Sequence, residues 1–348
     1  MSRTLLRAVV ATVVILLAVW SGTAFLRPAP PVPANAGPEL FSAERAMRHV
    51  EALASAPRPI GSAGHAAGRE YILAELRRLR LEPQVQEAVS AFRFPGAPGF
   101  GAARVRNVVA RIEGQREGPA VLLNAHYDGG NTGVAAGDCA ACVAAVLETA
   151  RALTQGPRPG RDVILVLSDA EEMGDHGAHA FATQHPWMRD VGLALNYEAM
   201  GTSGPGSLYV TGPNNAALVG ALADAVPRGF GTSFVTAIFN AIPEMRNACD
   251  LQDYLDAGKP GLGFVLHGDT QRYHTVLDTP ANLDPRSLQS FGDSALGMAR
   301  TWGERDLAAK GDAIFFPLAP FGTFVAPEGW SLPLALVTLA LILALGWR

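Results

Sequence analysis

The stretch that decides the fold is DVILVLSDAEEMGDHG, residues 162–177. Its β-branched, apolar run at 163–167 shows no alternation, which is typical of a parallel strand buried on both faces. Two adjacent carboxylates, Glu171 and Glu172, follow this strand in a loop that ends in glycine. Open α/β sheets bind their ligands at such strand ends. Because neighbouring carboxylates repel each other, the pair indicates that positive charge lies close by.

Further strands and helices alternate along the chain around this stretch. Strands are predicted at 105–112, 120–124, 193–197 and 262–266, and helices at 43–55, 63–81, 138–153, 177–185, 214–225, 251–257 and 284–302. The Gly-, Pro- and Phe-rich segment 87–103 predicts a loop or the arm of a hairpin. The alternation predicts one α/β domain over 41–305, with a mixed, largely parallel central β-sheet flanked by helices.

The composition excludes nucleic-acid binding and disorder. Charged residues make up 17% of the chain, apolar residues 49%, and the net charge is −4. The one small basic group, Arg77, Arg78 and Arg80, lies on a predicted helix and is typical of a solvated face, so we expect no nucleic-acid partner. Three cysteines are too few for a disulfide framework. We interpret the CxxC pair, Cys139 and Cys142, as packing residues.

An apolar run near the N-terminus predicts a membrane anchor. Residues 8–26 carry no charge and follow Arg3 and Arg7. This length spans a bilayer, at ~1.5 Å per residue against a hydrocarbon core of ~30 Å. The arginines predict that residues 1–7 are cytoplasmic and that the domain lies on the other side, periplasmic or extracellular in a bacterium. The alternative is a signal peptide cleaved after 34–36, but the run is long for one, which favours the anchor.

A second apolar run closes the chain. Residues 330–347 have a tryptophan at each border and Arg348 outside, which predicts a second span returning to the cytoplasm. The sequence stops directly after this run, so we expect the span to be the start of a truncated polytopic region. A helix buried in the domain is the weaker alternative, because 332–346 shows no polar face. We expect linkers at 27–40 and 306–329, and contact with membrane lipid through both terminal helices.

Metal-competent side chains follow most of the predicted strands. They are His126 and Asp128 after the second strand, Asp138 at the start of a helix, Glu171 and Glu172, Glu198, and His274. Zinc takes such nitrogen and oxygen donors, and a carboxylate can bridge two ions ~3.5–4 Å apart. We therefore predict a two-metal site bound by Asp138, His126, His274, Glu198 and one glutamate of the pair. The other glutamate is then free to act as general base, and Asp128 is placed to accept a hydrogen bond from the His126 imidazole.

The combined motif set HYD, GD, EExG, YE and YHT resembles the co-catalytic zinc aminopeptidase family. That family includes bacterial secreted aminopeptidases, glutamate carboxypeptidase and glutaminyl cyclase. The segments APRPIGSAGHAAGREYILAELRRLRLEPQVQ (56–86) and NYEAMGTSGPGSLYVTGP (196–213) are similar to its endoplasmic-reticulum metallopeptidase branch and the bacterial relatives of that branch. The resemblance covers roughly 42–283.

The resemblance implies the zinc aminopeptidase fold, two Zn²⁺ per chain and a peptide substrate. It implies hydrolysis of peptide bonds by an exopeptidase, an aminopeptidase, with Glu171 as general base on a zinc-bridging water. It further implies that His126, Asp138 and Glu198 hold one zinc, that Asp138, Glu172 and His274 hold the other, and that Tyr273 hydrogen-bonds the developing oxyanion. A cis peptide bond after Asp138 is also implied.

The sequence departs from the family pattern in three places. Cys139 follows the bridging acid, where Asp or Asn is common, and Glu198 stands where secreted aminopeptidases have Asp. Cys249, Asp250 and Leu251 replace a Ser-Asp-His stretch. These replacements leave the substrate contacts of that region open.

Two other functions are weighed against the peptidase. A catalytically silent receptor or scaffold of the same fold would have a ligand replaced by Gly, Ser or Asn, and none of the five is replaced. A single-zinc glutaminyl cyclase-like acyltransferase also fits the glutamate pair, but the anchor and the N-terminal segment favour a peptidase.

Arg246 and Asn247 could reach a peptide carbonyl or carboxylate. The substrate side-chain preference and the oligomeric state stay open.

Histidines outside this set show no ligand spacing. They are His49, His65, His176, His179, His185 and His267. We interpret them as polar surface residues.

Overall fold

The computed structural model describes residues 2–25, 27–93, 99–226, 229–242, 249–302, 304, 307, 311–319 and 321–346. The helices are α1 (Arg3–Phe25), α2 (Ala43–Leu53), α3 (Ala63–Arg78), α4 (Cys142–Gln155), α5 (His176–Gln184), α6 (Ala216–Ala225), α7 (Ser233–Ala241), α8 (Leu251–Asp256), α9 (Pro285–Thr301) and α10 (Ser331–Gly346). The strands are β1 (Gln84–Arg93), β2 (Phe100–Ile112), β3 (Ala120–His126), β4 (Val163–Ser168), β5 (Val191–Ala199), β6 (Ser207–Thr211), β7 (Phe230–Gly231), β8 (Gly261–Leu266), β9 (Ala313–Leu318) and β10 (Gly322–Pro327).

The central sheet has eight strands in the order β1-β2-β4-β3-β5-β8-β6-β7. Its middle strands β4, β3, β5 and β8 run parallel, while β2 and β6 pair antiparallel at their flanks. Helices cover both faces of this sheet, with α2, α3, α4, α6 and α9 on one core and α5 and α8 on the other. The predicted mixed, largely parallel α/β fold is confirmed.

Strand β4 lies inside the sheet because both of its faces are buried. Val163, Leu165 and Leu167 pack into the core under α4, and Ile164 and Val166 pack into the core under α5. Successive side chains of a strand point to opposite faces, so a strand covered on both sides needs apolar residues throughout. This explains why the apolar run shows no alternation.

Three helices begin at a side chain that caps their first turn. Ser42 and Ser62 each accept a hydrogen bond from the backbone N–H three residues on, and Asp284 accepts one from Arg286. The predicted helix at 138–153 differs, because it opens with a π-helical turn, Ala136–Ala141, before α4 begins. That turn contains Asp138 in a non-helical conformation.

The alternative of a hairpin arm for the segment 87–103 is confirmed, because the segment lies in the antiparallel pair β1 and β2; residues 94–98 lie outside the described residues. Several other elements were not predicted. Strand β6 and helix α7 were not predicted, because each has only a short apolar run that follows a Gly-containing segment. The expected linker 306–329 instead contains the paired strands β9 and β10, which lack a polar face and so carry no alternation signal.

The terminal helices stand apart from the domain. Candidate spans at Leu5–Thr23 and Glu328–Gly346 are 19 residues each, with mean hydropathy 2.2 and 2.0, and no part of either is buried within the protein. The alternative of a C-terminal helix packed in the domain is therefore wrong for the described residues. Positions 26 and 347, at the ends of the expected spans, lie outside the described residues.

Two interpretations of cysteine and histidine residues are wrong. Cys139 and Cys142 form a disulfide, since the π-helical turn brings their Cα atoms to 5.0 Å from each other. His65 and His176 are 4% and 2% exposed rather than on the surface. His176 bonds Ser90 at 3.0 Å, and the partners of His65 belong to the site described below.

Arg58 fastens the loop after β3 to the rest of the domain. The side chain is 1% exposed and donates to four carbonyl oxygens, those of Leu53, Tyr127, Val134 and Ala135, at 2.8–3.1 Å. Burial lowers its pKa to about 10, so the guanidinium keeps its charge at neutral pH. The Ala135 carbonyl also accepts a hydrogen bond from the Ala140 N–H at 3.2 Å. Buried carbonyls need hydrogen-bond donors, and this one side chain supplies donors to four of them.

Replacing Arg58 with methionine should destabilise the domain. Arg58→Met keeps the apolar stem but leaves buried carbonyls unsatisfied, and we expect a loss of roughly 3–5 kcal/mol in the free energy of unfolding. Urea unfolding of the purified protein in detergent measures this loss. Arg77→Met, at an exposed position of α3, is the control and should change little. Equal stability of the two variants would contradict the role of Arg58.

Candidate metal centre

The parallel strands bring the predicted ligands to one edge of the sheet. His126 is the last residue of β3, and Glu198 is the penultimate residue of β5. Glu171 and Glu172 lie in the loop that leaves β4, and His274 lies in the loop that leaves β8. Carboxyl ends of parallel strands share an edge, so residues far apart in sequence meet there.

Two clusters of potential ligands share Asp138. In the first, His126 Nε2 lies 3.2 Å from Asp138 Oδ1 and 3.4 Å from Glu198 Oε2. In the second, His274 Nε2 lies 3.0 Å from Asp138 Oδ2 and 3.2 Å from Glu172 Oε2. Each oxygen of Asp138 therefore faces a different histidine.

The sulfur of Cys139 lies beside the first cluster. Cys139 Sγ is 3.9 Å from Glu198 Oε2. Because this sulfur is bonded to Cys142, it offers no thiolate to a metal. The first cluster is therefore His126, Asp138 and Glu198.

Backbone contacts fix the two loops that meet at Asp138. Asp278 accepts hydrogen bonds from the N–H groups of Gly137, at 2.6 Å, and Asp138, at 3.1 Å. His274 adopts a left-handed backbone with φ of 55°, and the Thr132 hydroxyl donates to its carbonyl at 2.7 Å. The peptide bond between Asp138 and Cys139 is cis, as the resemblance implied.

Asp128 connects the first cluster to the glutamate pair. Its two oxygens accept hydrogen bonds from the backbone N–H groups of Glu171 and Glu172, each at 3.2 Å. One of these oxygens also lies 3.3 Å from His126 Nδ1. Asp128 thus lies behind the His126 imidazole at 3.3 Å, without the predicted hydrogen bond from His126 Nδ1, and it orders the loop that carries both glutamates.

Glu171 lies beside the first cluster and belongs to neither cluster. Its Oε2 is 3.8 Å from His126 Nε2, farther than any carboxylate of the two clusters. Its carboxyl is hydrogen-bonded to that of Asp175. Tyr273 lies at the rim, 36% exposed, with its ring stacked on the imidazole of His274 at 3.8 Å between centroids.

The pKa shifts of the site are those expected for buried carboxyl groups that lack a neighbouring cation. Burial raises the pKa of Glu171 well above its usual value, and burial together with Asp138 raises the pKa of Glu172 to about 7. Burial alone would lower the pKa of His126, but the Glu171 and Glu198 carboxylates raise it well above its usual value. The buried Oε1 of Glu172 has no hydrogen-bond partner. Since hard or borderline divalent ions bind such donors, these residues fit two metal ions.

A buried polar network supports the site from below. The Asn124 amide donates to Asn196 Oδ1 and Asp250 Oδ2, each at 2.7 Å, and Asn196 donates to Glu198 Oε1 at 3.2 Å. Asp250 also accepts from the Ser168 hydroxyl, and burial raises its pKa to about 7. Sequence reasoning missed this network, although two asparagines inside otherwise apolar strands were a signal for it.

A second pair of buried groups was also missed. His65 Nε2 lies 2.8 Å from Asp169 Oδ1, and the His65 ring stacks on Tyr127. Asp169 precedes the glutamate loop and accepts a hydrogen bond from the backbone N–H of Arg106 at 2.7 Å.

The two residues suggested earlier for a peptide contact, at positions 246 and 247, lie outside the described residues.

Comparison with known proteins agrees with this geometry. Residues 107–299 match Peptidase family M28. Endoplasmic reticulum metallopeptidase 1 of Rattus norvegicus is 28% identical over 330 residues, which cover 88% of this chain and 36% of that protein. The chain thus spans about a third of the length of this relative.

Solved structures share the fold. An aminopeptidase from an Aneurinibacillus strain superposes with a TM-score of 0.60 at 13% identity, covering 74% of this chain and 93% of that one. Porphyromonas gingivalis glutaminyl cyclase gives a TM-score of 0.59 at 19% identity, covering 76% and 99%. The predicted resemblance to the zinc aminopeptidases is confirmed, and the chain belongs to Peptidase family M28.

Proposed function

We propose that this protein is a membrane-anchored, di-zinc metallopeptidase that acts as an exopeptidase, in the aminopeptidase mode. The observation that carries the proposal is the division of Asp138, which turns one oxygen to His126 and the other to His274. A carboxylate shared in this way suits a pair of ions rather than one. A single ion bound at His274 would leave the His126 cluster without a metal.

The ligand assignment follows from the two clusters. His126, Asp138 and Glu198 would hold one zinc, and Asp138, Glu172 and His274 would hold the other. When bound, two zinc ions supply Lewis acidity that makes water a nucleophile near neutral pH and stabilises negative charge on a carbonyl oxygen.

Glu171 is the general base in this proposal. It lies beside the first cluster, its side chain is largely buried, and neither cluster uses its carboxylate. A carboxylate with a raised pKa accepts the proton of the attacking water and then delivers it to the leaving amine. Asp128 holds the Glu171 backbone and so sets where the base points.

In this proposal, Tyr273 donates a hydrogen bond to the substrate carbonyl as charge develops. Burial raises its pKa, so the phenol keeps its proton. Its ring packs on His274, which puts it beside the second cluster while leaving it accessible to a peptide. Donors aimed at the developing oxyanion stabilise the transition state.

The peptidase domain belongs on the non-cytoplasmic side of the membrane. Arg3 and Arg7 precede α1, which favours a cytoplasmic N-terminus. The disulfide between Cys139 and Cys142 persists in oxidising compartments. The rat relative carries the endoplasmic reticulum in its name.

Glutaminyl cyclase activity is the competing function, and the fold alone does not separate it from peptidase activity. The complete His126 cluster favours the two-metal peptidase. Purified protein incubated with peptides that begin with glutamine tests both, because a peptidase releases free amino acids whereas a cyclase releases ammonia. Cyclisation without cleavage would contradict the proposal.

The substitution Glu171→Gln should abolish turnover while keeping both metals. The amide retains the size of the side chain but accepts no proton, so we expect kcat to fall by ~10²–10⁴-fold. Peptide hydrolysis and zinc content of the same preparation measure the two effects. Glu51→Gln, on the exposed face of α2, is the control. Wild-type kcat in Glu171→Gln would refute the base assignment.

The substitution Asp138→Asn should remove both metals together. An amide is a poor bridging ligand, and each cluster depends on one oxygen of this residue. We expect the purified variant to contain no stoichiometric zinc by elemental analysis, with Glu51→Gln again unchanged. One zinc retained per chain would show that Asp138 does not bridge.

Zinc affinity should weaken as the pH falls through about 7. The pKa of Glu172 is raised from its ordinary value, so the metal-free site holds a proton below that pH and must release it to bind an ion. One displaced proton weakens binding roughly tenfold per pH unit below the pKa. Competition with a chromogenic chelator across this range measures the effect. A constant affinity would contradict the raised pKa.

A further inference from the structure

The β9–β10 hairpin is fastened to the domain by its inner face. Ala313 and Phe315 are 5% and 1% exposed, and Val325 packs against the main core. The Phe315 N–H donates to the Ser233 hydroxyl at 3.3 Å, and the Thr323 hydroxyl donates to the Gly229 carbonyl at 3.1 Å. The hairpin therefore has a fixed position and presents its other face outward.

That outer face is apolar along its whole length. Its residues, which alternate with the buried ones, are Ile314, Phe316, Leu318, Phe324 and Ala326. The rings of Phe316 and Phe324 lie 5.0 Å apart, and Phe316 and Leu318 are 37% and 44% exposed. A hairpin with one face on the core normally turns polar residues to water on the other. An apolar face on both sides indicates an apolar partner.

Phe321 extends this surface at the tip of the hairpin. It lies in the turn between the strands, with its N–H bonded to the Leu318 carbonyl at 2.6 Å, and it is 84% exposed. No large apolar side chain among the described residues is more exposed. Exposing a phenylalanine side chain to water is unfavourable, and the turn keeps Phe321 in this exposed position.

The apolar face is continuous with the foot of the second candidate span. β10 leads through a short 3₁₀ turn, Glu328–Trp330, directly into α10. Trp330, 57% exposed, stands at this border, where membrane proteins place aromatic side chains. Ile314 of the outer face lines one cleft of about 730 Å³ together with Phe234 of α7 and Ser331, the first residue of α10. Hairpin, α7 and span thus share one side of the domain.

We propose that the outer face of the β9–β10 hairpin, with Phe321 at its tip, lies in the interfacial layer of the bilayer that α10 enters. This face contacts lipid, because it adjoins a helix that is long and apolar enough to cross a membrane. None of its described outward side chains is charged, and Asp312 and Glu328 flank it, so we expect zwitterionic rather than anionic lipid. The inference rests on the membrane anchoring in the proposed function.

This contact would set the orientation of the metal centre. The cleft beside the hairpin also includes Gly212, whose N–H bonds the carbonyl of Gly261 at the start of β8. The metal-binding clusters lie at the opposite, carboxyl ends of the parallel strands. A domain resting on the membrane through its hairpin therefore turns its catalytic edge toward water, where peptides arrive.

Site-specific fluorescence in a bilayer tests the contact. The full chain carrying Phe321→Cys is labelled with the fluorophore NBD and reconstituted in phosphatidylcholine vesicles. A fraction of the lipid carries a nitroxide near the top of one acyl chain. Val89→Cys, 61% exposed on β1, is the matched control. The native cysteines do not compete, because two are bonded to each other and Cys249 is buried.

We expect the label at position 321 to lose at least half of its emission to the nitroxide lipid, and the label at position 89 to lose almost none. Equal, weak quenching at both positions in vesicles that carry the protein would overturn the hairpin contact while leaving the anchor intact. Protection of position 321 from both the nitroxide and aqueous iodide would indicate a protein partner and also overturn it. Protein that fails to float with the vesicles would refute the anchoring itself. Zinc content and peptide hydrolysis of the same sample report separately on the catalytic proposal.

Discussion

The carboxylate of Asp138 is the constraint on which the rest of the site depends. Its two oxygens face two histidines that come from different strand ends, so a small rotation of this one group would uncouple the clusters. The chain fixes it from several directions. Asp278 binds its backbone N–H, the π-helical turn sets its direction, and Arg58 holds the preceding loop. Several contacts at this edge of the sheet therefore position a single side chain.

Concentrating carboxylates in a buried site is costly unless charge compensates them. Glu172, Glu198, Asp128 and Asp250 all lie close together here, with few cations among them. Burial raises the pKa of Glu172 and of Asp250 to about 7, so holding protons reduces this cost when no metal is bound. Metal ions would remove the need for those protons, which couples occupancy of the site to pH and to stability.

Sequence reasoning could predict which residues meet at the candidate metal centre because the ends of buried strands are recognisable in the sequence. The apolar run of β4 marks a buried strand, and polar residues that follow such runs collect at one edge of a parallel sheet. The supports of the site were less readable. Arg58 lies between two prolines, where the sequence has no periodic pattern. Asp278 binds backbone N–H groups of the π-helical turn, and this turn was not predicted because its sequence reads as the start of an ordinary α-helix. Asn124 and Asn196 became meaningful only once β3 and β5 were known to pair. The β9–β10 hairpin escaped notice because both of its faces are apolar.

The most direct test of the shared carboxylate is anomalous diffraction at the zinc absorption edge from crystals of the zinc-loaded, full-length protein. We expect two peaks ~3.5–4 Å apart. One should lie against His126 and Glu198, the other against His274 and Glu172, with Asp138 between them. A single peak, or two peaks that do not share Asp138, would contradict the central role given to this residue.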